Sequence, residues 1–90
     1  MYRIIYASRM KRDIKRVRKR GKDLSKLVNV LSMLSSGQPL PEKFHDYRLS
    51  GELRDFRECH IESDWLLVYA VDKGKLILTA SRTGTHSDLF

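Results

Sequence analysis

The chain predicts an α/β (α+β) domain, a small and mainly antiparallel sheet backed by two helices, in the order β-α-α-β-β-β. Three observations carry that expectation. The chain opens on a β-branched, aromatic run, Tyr2-Arg3-Ile4-Ile5-Tyr6-Ala7. Two stretches of helical periodicity follow, split by Gly21. The second half then alternates three strand-like runs with turn-forming residues. Strands that follow one another through tight turns pair antiparallel, and both helices must bury their apolar stripes on the same sheet.

Taken in order, the first run reads as a strand. Ser8 stands where a cap for the next helix is expected, and Met10, Ile14 and Val17 recur at i, i+4 and i+7. Gly21 ends this helix in the manner of a left-handed cap. Asp23 starts a second helix with Leu24, Leu27, Val28, Leu31 and Leu34 on one face, closed by Gly37. The short link makes the two an antiparallel hairpin. Residues 38–51 read as a loop, with Pro39 and Pro41 fixing an extended path and Phe44 and Leu49 as anchors. The strand candidates are Leu53–Ile61, Trp65–Val71 and Leu76–Thr83, with hairpin turns at residues 62–64 and 72–75.

Ninety residues make one domain, 1–90, and a core of that size commits most of its apolar side chains. The net charge of +7 is unevenly placed. Residues 1–31 hold eleven Lys/Arg against two Asp, whereas residues 32–90 hold seven against nine acidic residues. One helix therefore carries the basic surface, with Arg12, Lys15, Arg16 and Lys19 as candidate contacts to RNA; the alternative use of such a run is a solubilising face. The single cysteine, Cys59, excludes an internal disulfide and suits a reducing compartment, where it is expected packed in a strand. No apolar run is long enough to span a bilayer, so a soluble cytoplasmic protein with no membrane partner is expected.

Two strings concentrate the chemistry: Asp55 to Trp65 and Arg82 to Phe90. RNA is cut without a metal when a base takes the 2′-hydroxyl proton, a cation steadies the phosphate and an acid protonates the departing oxygen. Histidine suits both proton transfers and arginine suits the phosphate. His60 and Asp64 flank a tight turn that brings them close, either as a catalytic pair or as a solvated turn. Arg82 and His86 flank Gly84, and can converge on one phosphate or belong to an exposed tail. Leu89-Phe90 is an apolar ending that packs on the sheet or stacks on a base. His45 and Tyr47, in the long loop, are further candidates. Trp65 is expected in the core. One Cys and three dispersed His, without paired short spacing, make a poor zinc site, so no metal and no cofactor are expected.

Pro39-Leu40-Pro41, Leu49-Ser50-Gly51, Phe56-Arg57-Glu58-Cys59-His60, Asp64-Trp65 with Val68-Tyr69, and Arg82 to Phe90 together resemble the RelE superfamily of bacterial toxin–antitoxin toxins, specifically its YafQ-like branch. The resemblance covers nearly the whole chain. It implies a RelE-like toxin that cleaves messenger RNA in the ribosomal A site, and so inhibits translation. It also implies a cognate antitoxin, encoded alongside, that forms a hetero-oligomer with the toxin. By position, His60, Asp64, Arg82 and His86 match the family's catalytic group and Phe90 its C-terminal aromatic. His86 is then the general acid, His60 assisted by Asp64 the base or relay, and Arg82 the phosphate ligand. The family's loop histidine aligns with Tyr47, and His45 lies two positions earlier; either takes that place. Two other readings compete: a non-catalytic RNA- or ribosome-binding module, and a RelE-fold toxin with another target.

Overall fold

The computed structural model describes all residues, Met1–Phe90. Its elements are β1 (Arg3–Tyr6), α1 (Ser8–Lys19), α2 (Leu24–Ser35), β2 (Tyr47–Arg48), β3 (Arg57–Glu62), β4 (Trp65–Asp72), β5 (Ile77–Gly84) and a short α3 (His86–Leu89), with 3-10 turns at Glu42–Phe44 and Gly51–Leu53. The five strands lie in the order β1-β5-β4-β3-β2. Only the β1–β5 pair is parallel, because α1 and α2 carry the chain back across the sheet before β5 is laid down.

The α+β expectation therefore holds, with corrections to its parts. The loop contains a two-residue edge strand, β2, that pairs with Arg57 and Glu58 of β3. Leu53 to Phe56 is not strand: the chain makes a 3-10 turn there, and β3 begins at Arg57. The chain also ends in a helical turn, α3, where none was expected.

Helix boundaries follow local chemistry. Ser8 is the first helical residue rather than the cap; Ala7 occupies the cap position without a side-chain bond. At the other end, Lys22 N–H bonds the Val17 carbonyl and Gly21 N–H bonds the Arg18 carbonyl. Gly21 adopts φ 83°, which makes this the Schellman ending that the glycine foretold. Asp23 caps α2, its carboxylate accepting from Ser25 N–H at 3.0 Å.

The core lies between these helices and one sheet face. Met10 and Val17 of α1 and Leu27, Val30 and Leu31 of α2 pack on Cys59, Ile61, Trp65, Leu67, Tyr69, Leu78 and Ala80. Val28 is 64% exposed and does not join them; Val30 fills the inner face instead. Cys59 is fully buried, and burial pushes its thiol up to about 12. Trp65 is in the core as expected, its indole N–H donating to the Thr83 hydroxyl at 2.9 Å. That hydroxyl donates in turn to the Leu66 carbonyl at 2.6 Å.

Two bulges decide which side chains face away from the helices. In β5, Arg82 pairs with Val68 but Ala80 pairs with Tyr69, so Ser81 is the extra residue. Without it, Arg82 would share the core face of Leu78 and Ala80, since side chains alternate along a strand. The bulge sends Thr83 to the core and Arg82 to the opposite face. In β3 the register shifts between His60 and Glu62, which leaves both Ile61 and Glu62 opposite Trp65, on the helix side. Glu62 there receives Lys22 at 3.0 Å and Lys26 at 2.6 Å.

Thr83 tests this packing. Thr83→Val keeps the shape but strips the indole N–H and the Leu66 carbonyl of a buried partner, and should destabilise the protein by about 2 kcal/mol. Urea denaturation should give a lower midpoint with an unchanged slope.

Candidate active site

The open face of the sheet is read directly from the register. Tyr47 lies beside Glu58, Glu58 beside Val68, and Val68 beside Arg82. The next row on that face runs His60, Leu66, Gly84. Tyr47, Glu58, His60 and Arg82 thus come from three strands to one surface, because directly paired residues point the same way.

All three histidines of the chain meet on it. The His45 and His60 rings are 5.6 Å apart and those of His60 and His86 5.7 Å apart, both edge to face. His45 reaches this row because its backbone is left-handed, φ 46°, where the 3-10 turn gives way to β2. Tyr47 is 58% exposed, with its hydroxyl 3.4 Å from His45 Nδ1. The two loop candidates are therefore neighbours in one site, with His45 against His60 and Tyr47 outside it.

Between these two residues, Asp46 anchors the loop. Its carboxylate accepts from the Tyr69 hydroxyl at 2.6 Å and from Arg57 Nε at 3.2 Å. Burial and this carboxylate push the Tyr69 hydroxyl strongly up, so it stays a donor.

Asp64 bonds to His86, not to His60. Its carboxylate accepts from His86 N–H at 3.2 Å and lies 3.0 Å from His86 Nδ1. The sequence suggested the opposite pairing, Asp64 with its hairpin neighbour His60. The bulge at Ile61–Glu62 and the approach of α3 account for the difference. His60 points across the open face while Asp64, at the turn, meets the first residue of α3. The Asp64 carboxyl is held below its ordinary range, chiefly by the His86 ring and then by its backbone N–H. With Nδ1 committed to Asp64, His86 Nε2 is the nitrogen left for proton transfer.

α3 is itself pinned to α1. Asp88 and Thr85 form a reciprocal capping box. The Asp88 carboxylate also takes both Arg20 nitrogens, at 2.6 and 3.1 Å. Its carboxyl is driven well below the carboxylate range, first by Arg20 and then by Thr85 N–H. Gly84 is required beside it: with φ 154°, a Cβ there would lie 2.8 Å from the Asp88 carboxylate.

Arg82 is on the open face but not free. Its Nε and Nη2 bond the two oxygens of Asp13 at 2.6 and 3.1 Å, which raises the guanidinium's pKa. Asp13 is 1% exposed and also accepts from Thr83 N–H. Sequence reasoning missed it. The signal was a carboxylate three residues after Met10, on the buried stripe of an otherwise cationic helix. Arg9, Arg12, Arg16 and Arg82 surround Asp13 in a basic cleft. Arg12, Lys15 and Lys19 are exposed, while Arg16 is partly spent on Asp13 and Asp88. Phe90 is 60% exposed, so the sheet does not absorb it. It rims an apolar cleft with Leu53, Phe56, Val68 and Leu89 that also reaches Arg82.

The family of bacterial toxins of type II toxin–antitoxin systems described as YafQ matches residues 2–90. The chain belongs to that family. Among YafQ relatives, the mRNA interferase toxin YafQ of Escherichia coli (strain K12) is 38% identical over 89 residues, 97% of this chain and 94% of the relative. The toxin in the crystal structure of the E. coli DinJ–YafQ complex has a TM-score of 0.90 at 34% identity, covering 100% of this chain and 99% of that one. A metal-bound toxin from Helicobacter pylori has a TM-score of 0.94 at 42% identity over the whole of both chains. The likeness to YafQ structures extends over every element that builds the site.

Glu58, His60 and His86 offer one ligand atom each, all within 4.8 Å of one another. The sequence argued against a zinc site from one Cys and three dispersed His; folding brings two of those His together and adds Glu58, a carboxylate that reading left out. Two imidazoles and a carboxylate fit copper or zinc.

The Asp88 clamp carries a pH signature. A carboxylate depressed by folding stabilises fully above the ordinary range, about pH 4, and loses that contribution as pH falls toward its folded value. As pH falls below about 4 toward that depressed value, the hold on α3 should therefore weaken progressively. The Thr85 backbone amide, which donates to the Asp88 carboxylate, should lose hydrogen-exchange protection there before the core strands do, and Asp88→Asn should show the same loss at neutral pH.

Proposed function

We propose that this chain is a ribosome-dependent endoribonuclease that cleaves messenger RNA in the ribosomal A site, and so blocks translation, by metal-independent acid–base chemistry. The observation that carries the reading is the row His45–His60–His86 on one open face, with His86 fixed through Nδ1 by Asp64. The E. coli relative named an mRNA interferase toxin supports the substrate class.

In the step we propose, His60 takes the proton of the 2′-hydroxyl, with His45 and Tyr47 beside it to relay or polarise. The 2′-oxygen bonds to phosphorus and the bond from phosphorus to the 5′-oxygen breaks. His86 Nε2 delivers a proton to that leaving oxygen, and Asp64 balances the imidazolium it gives it from. Arg82, oriented by Asp13, meets the charge on the phosphate. Phe90 presents its ring to a flanking base. Each positioned proton transfer is worth roughly 10²–10⁴-fold.

The partner we propose is an antitoxin encoded alongside, as the DinJ–YafQ complex suggests for its own toxin. The exposed cations Arg12, Lys15 and Lys19 suit both an acidic antitoxin segment and ribosomal RNA, so one surface serves inhibition and action. No helix is long and apolar enough to cross a membrane, and the ribosome as target puts the protein in the cytoplasm.

The test is cell-free translation dosed with purified protein, with mRNA 5′ ends mapped by primer extension. His86→Ala should lose cleavage by at least about 10²-fold while remaining folded. Blocked translation with intact mRNA would favour a non-catalytic ribosome-binding module instead, a reading to which the basic α1 surface lends itself. His45→Ala and Tyr47→Ala, made separately, should show the larger loss at His45, which touches His60.

A metal on Glu58, His60 and His86 would supply a Lewis acid, and its bonds would take the imidazole lone pairs that proton transfer needs. Protein stripped of metal with EDTA and freed of the chelator before it meets ribosomes should therefore cleave as well as untreated protein. Copper(II) should bind the free protein, broaden the His60 and His86 NMR signals, and slow cleavage. Loss of activity on chelation, restored by one metal, would overturn the metal-independent step.

A further inference from the structure

Beyond the histidine row, β2 pairs with β3 only as far as Glu58, so the edge of β3 from Cys59 to Glu62 has no neighbouring strand. A cleft of about 500 Å³ opens against that edge, between α2 and the 3-10 turn at Glu42–Phe44. His45 and His60 form its inner wall, and Lys26, Asn29, Lys43 and Ser63 are among its other lining residues. It is distinct from the apolar cleft at Phe90, with which it shares no lining residue.

We propose that this cleft is a nucleotide subsite for the message, holding the residue next to the scissile phosphate on the side away from Phe90. The inference rests on the endoribonuclease reading and gives the RNA strand its second flank. Three features fit it. The volume suits one nucleotide-sized group, within the roughly 300–1,000 Å³ of small-ligand pockets. The charge is positive: Glu62 is the cleft's carboxylate, and both its oxygens are held by Lys22 and Lys26. Lys43 has no carboxylate partner, and its ammonium lies 5.2 Å from the ring of Phe44, which also lines the cleft. Asn29 is exposed on α2 and its amide makes no bond within the protein, leaving two donors and one acceptor for a base edge. A phosphate on Lys43 and a base against Asn29 would place the next phosphate at His60.

Binding and cleavage are read separately. The binding probe is a ribonucleotide trimer with a 2′-methoxy group on its middle sugar, which cannot be cut, titrated into the full ¹⁵N-labelled chain. The Asn29 side-chain amide and residues 42–45 should shift together with His86. Lys43→Ala and Asn29→Ala should each weaken trimer binding by about tenfold. In cell-free translation the same variants should require about tenfold more protein for half-maximal mRNA cleavage. Both changed residues are exposed, so the fold tolerates them. Shifts confined to His60, His86 and Phe90, with unchanged cleavage by both variants, would overturn the subsite and leave the endoribonuclease reading intact. Unchanged trimer binding with weakened ribosome sedimentation would reassign the cleft to ribosomal RNA and overturn the message subsite. A wild-type protein that cleaves nothing, with or without ribosomes, would remove the endoribonuclease reading and the subsite with it.

Discussion

Asp13 is the constraint on which the rest of the structure leans. A carboxylate 1% exposed needs compensation, and it receives two nitrogens of Arg82 and the backbone N–H of Thr83. An uncompensated buried charge costs several kcal/mol, so helix and strand are bound to one mutual placement. The bonds reach β5 immediately after its bulge, at the pair of residues whose faces the bulge has exchanged. Arg82 is thereby aimed outward with its fork already oriented, and Thr83 is aimed inward to accept from Trp65. One interaction sets the α1–β5 contact, the core hydrogen bond and the cation of the open face.

A second set of ion pairs carries that order to the chain's end. Arg20, at the close of α1, holds Asp88, and Asp88 caps the turn that starts at His86. Asp64 completes the restraint from the β3–β4 turn. His86 is thus fixed by three elements although only four residues follow it and it is exposed. The loop histidine is placed in the same way, by Asp46 bonded to Tyr69 and Arg57. In both cases an acidic residue near the histidine in sequence is tied to the scaffold and the imidazole follows. Proton transfer requires this kind of positioning, because its rate falls steeply with misplacement.

The basic surface has divided duties. Arg16 and Arg20 are structural cations, engaged by Asp13 and Asp88, whereas Arg12, Lys15 and Lys19 are left to solvent. Charge counting treated the helix as one patch. The tertiary pairing separates the cations that hold the toxin together from those available to a partner, and it puts Lys26 and Lys43 of the outer cleft among the latter only in part, since Lys26 shares Glu62.

The α+β class, the helical hairpin broken at Gly21, the three long strands and the candidate site residues His60, Asp64, Arg82 and His86 were all legible in the order of the amino acids. Those follow from local rules: apolar periodicity, turn residues and the few side chains able to transfer protons at neutral pH. That order could not reveal the two bulges, because one extra residue in a ladder leaves no local mark while reversing the face of everything after it. For the same reason Asp64 was matched to His60, its neighbour along the chain, rather than to His86, its neighbour in space. The strand β2 escaped notice because two residues carry no period, and Val28 was assigned to the core because adjacent helical positions both lie near the stripe. Asp13, Asp46 and Asp88 find their partners only in the fold, in Arg82, in Tyr69 and Arg57, and in Arg20. Tertiary structure alone decided which polar groups meet, since that depends on register and burial rather than on residue type.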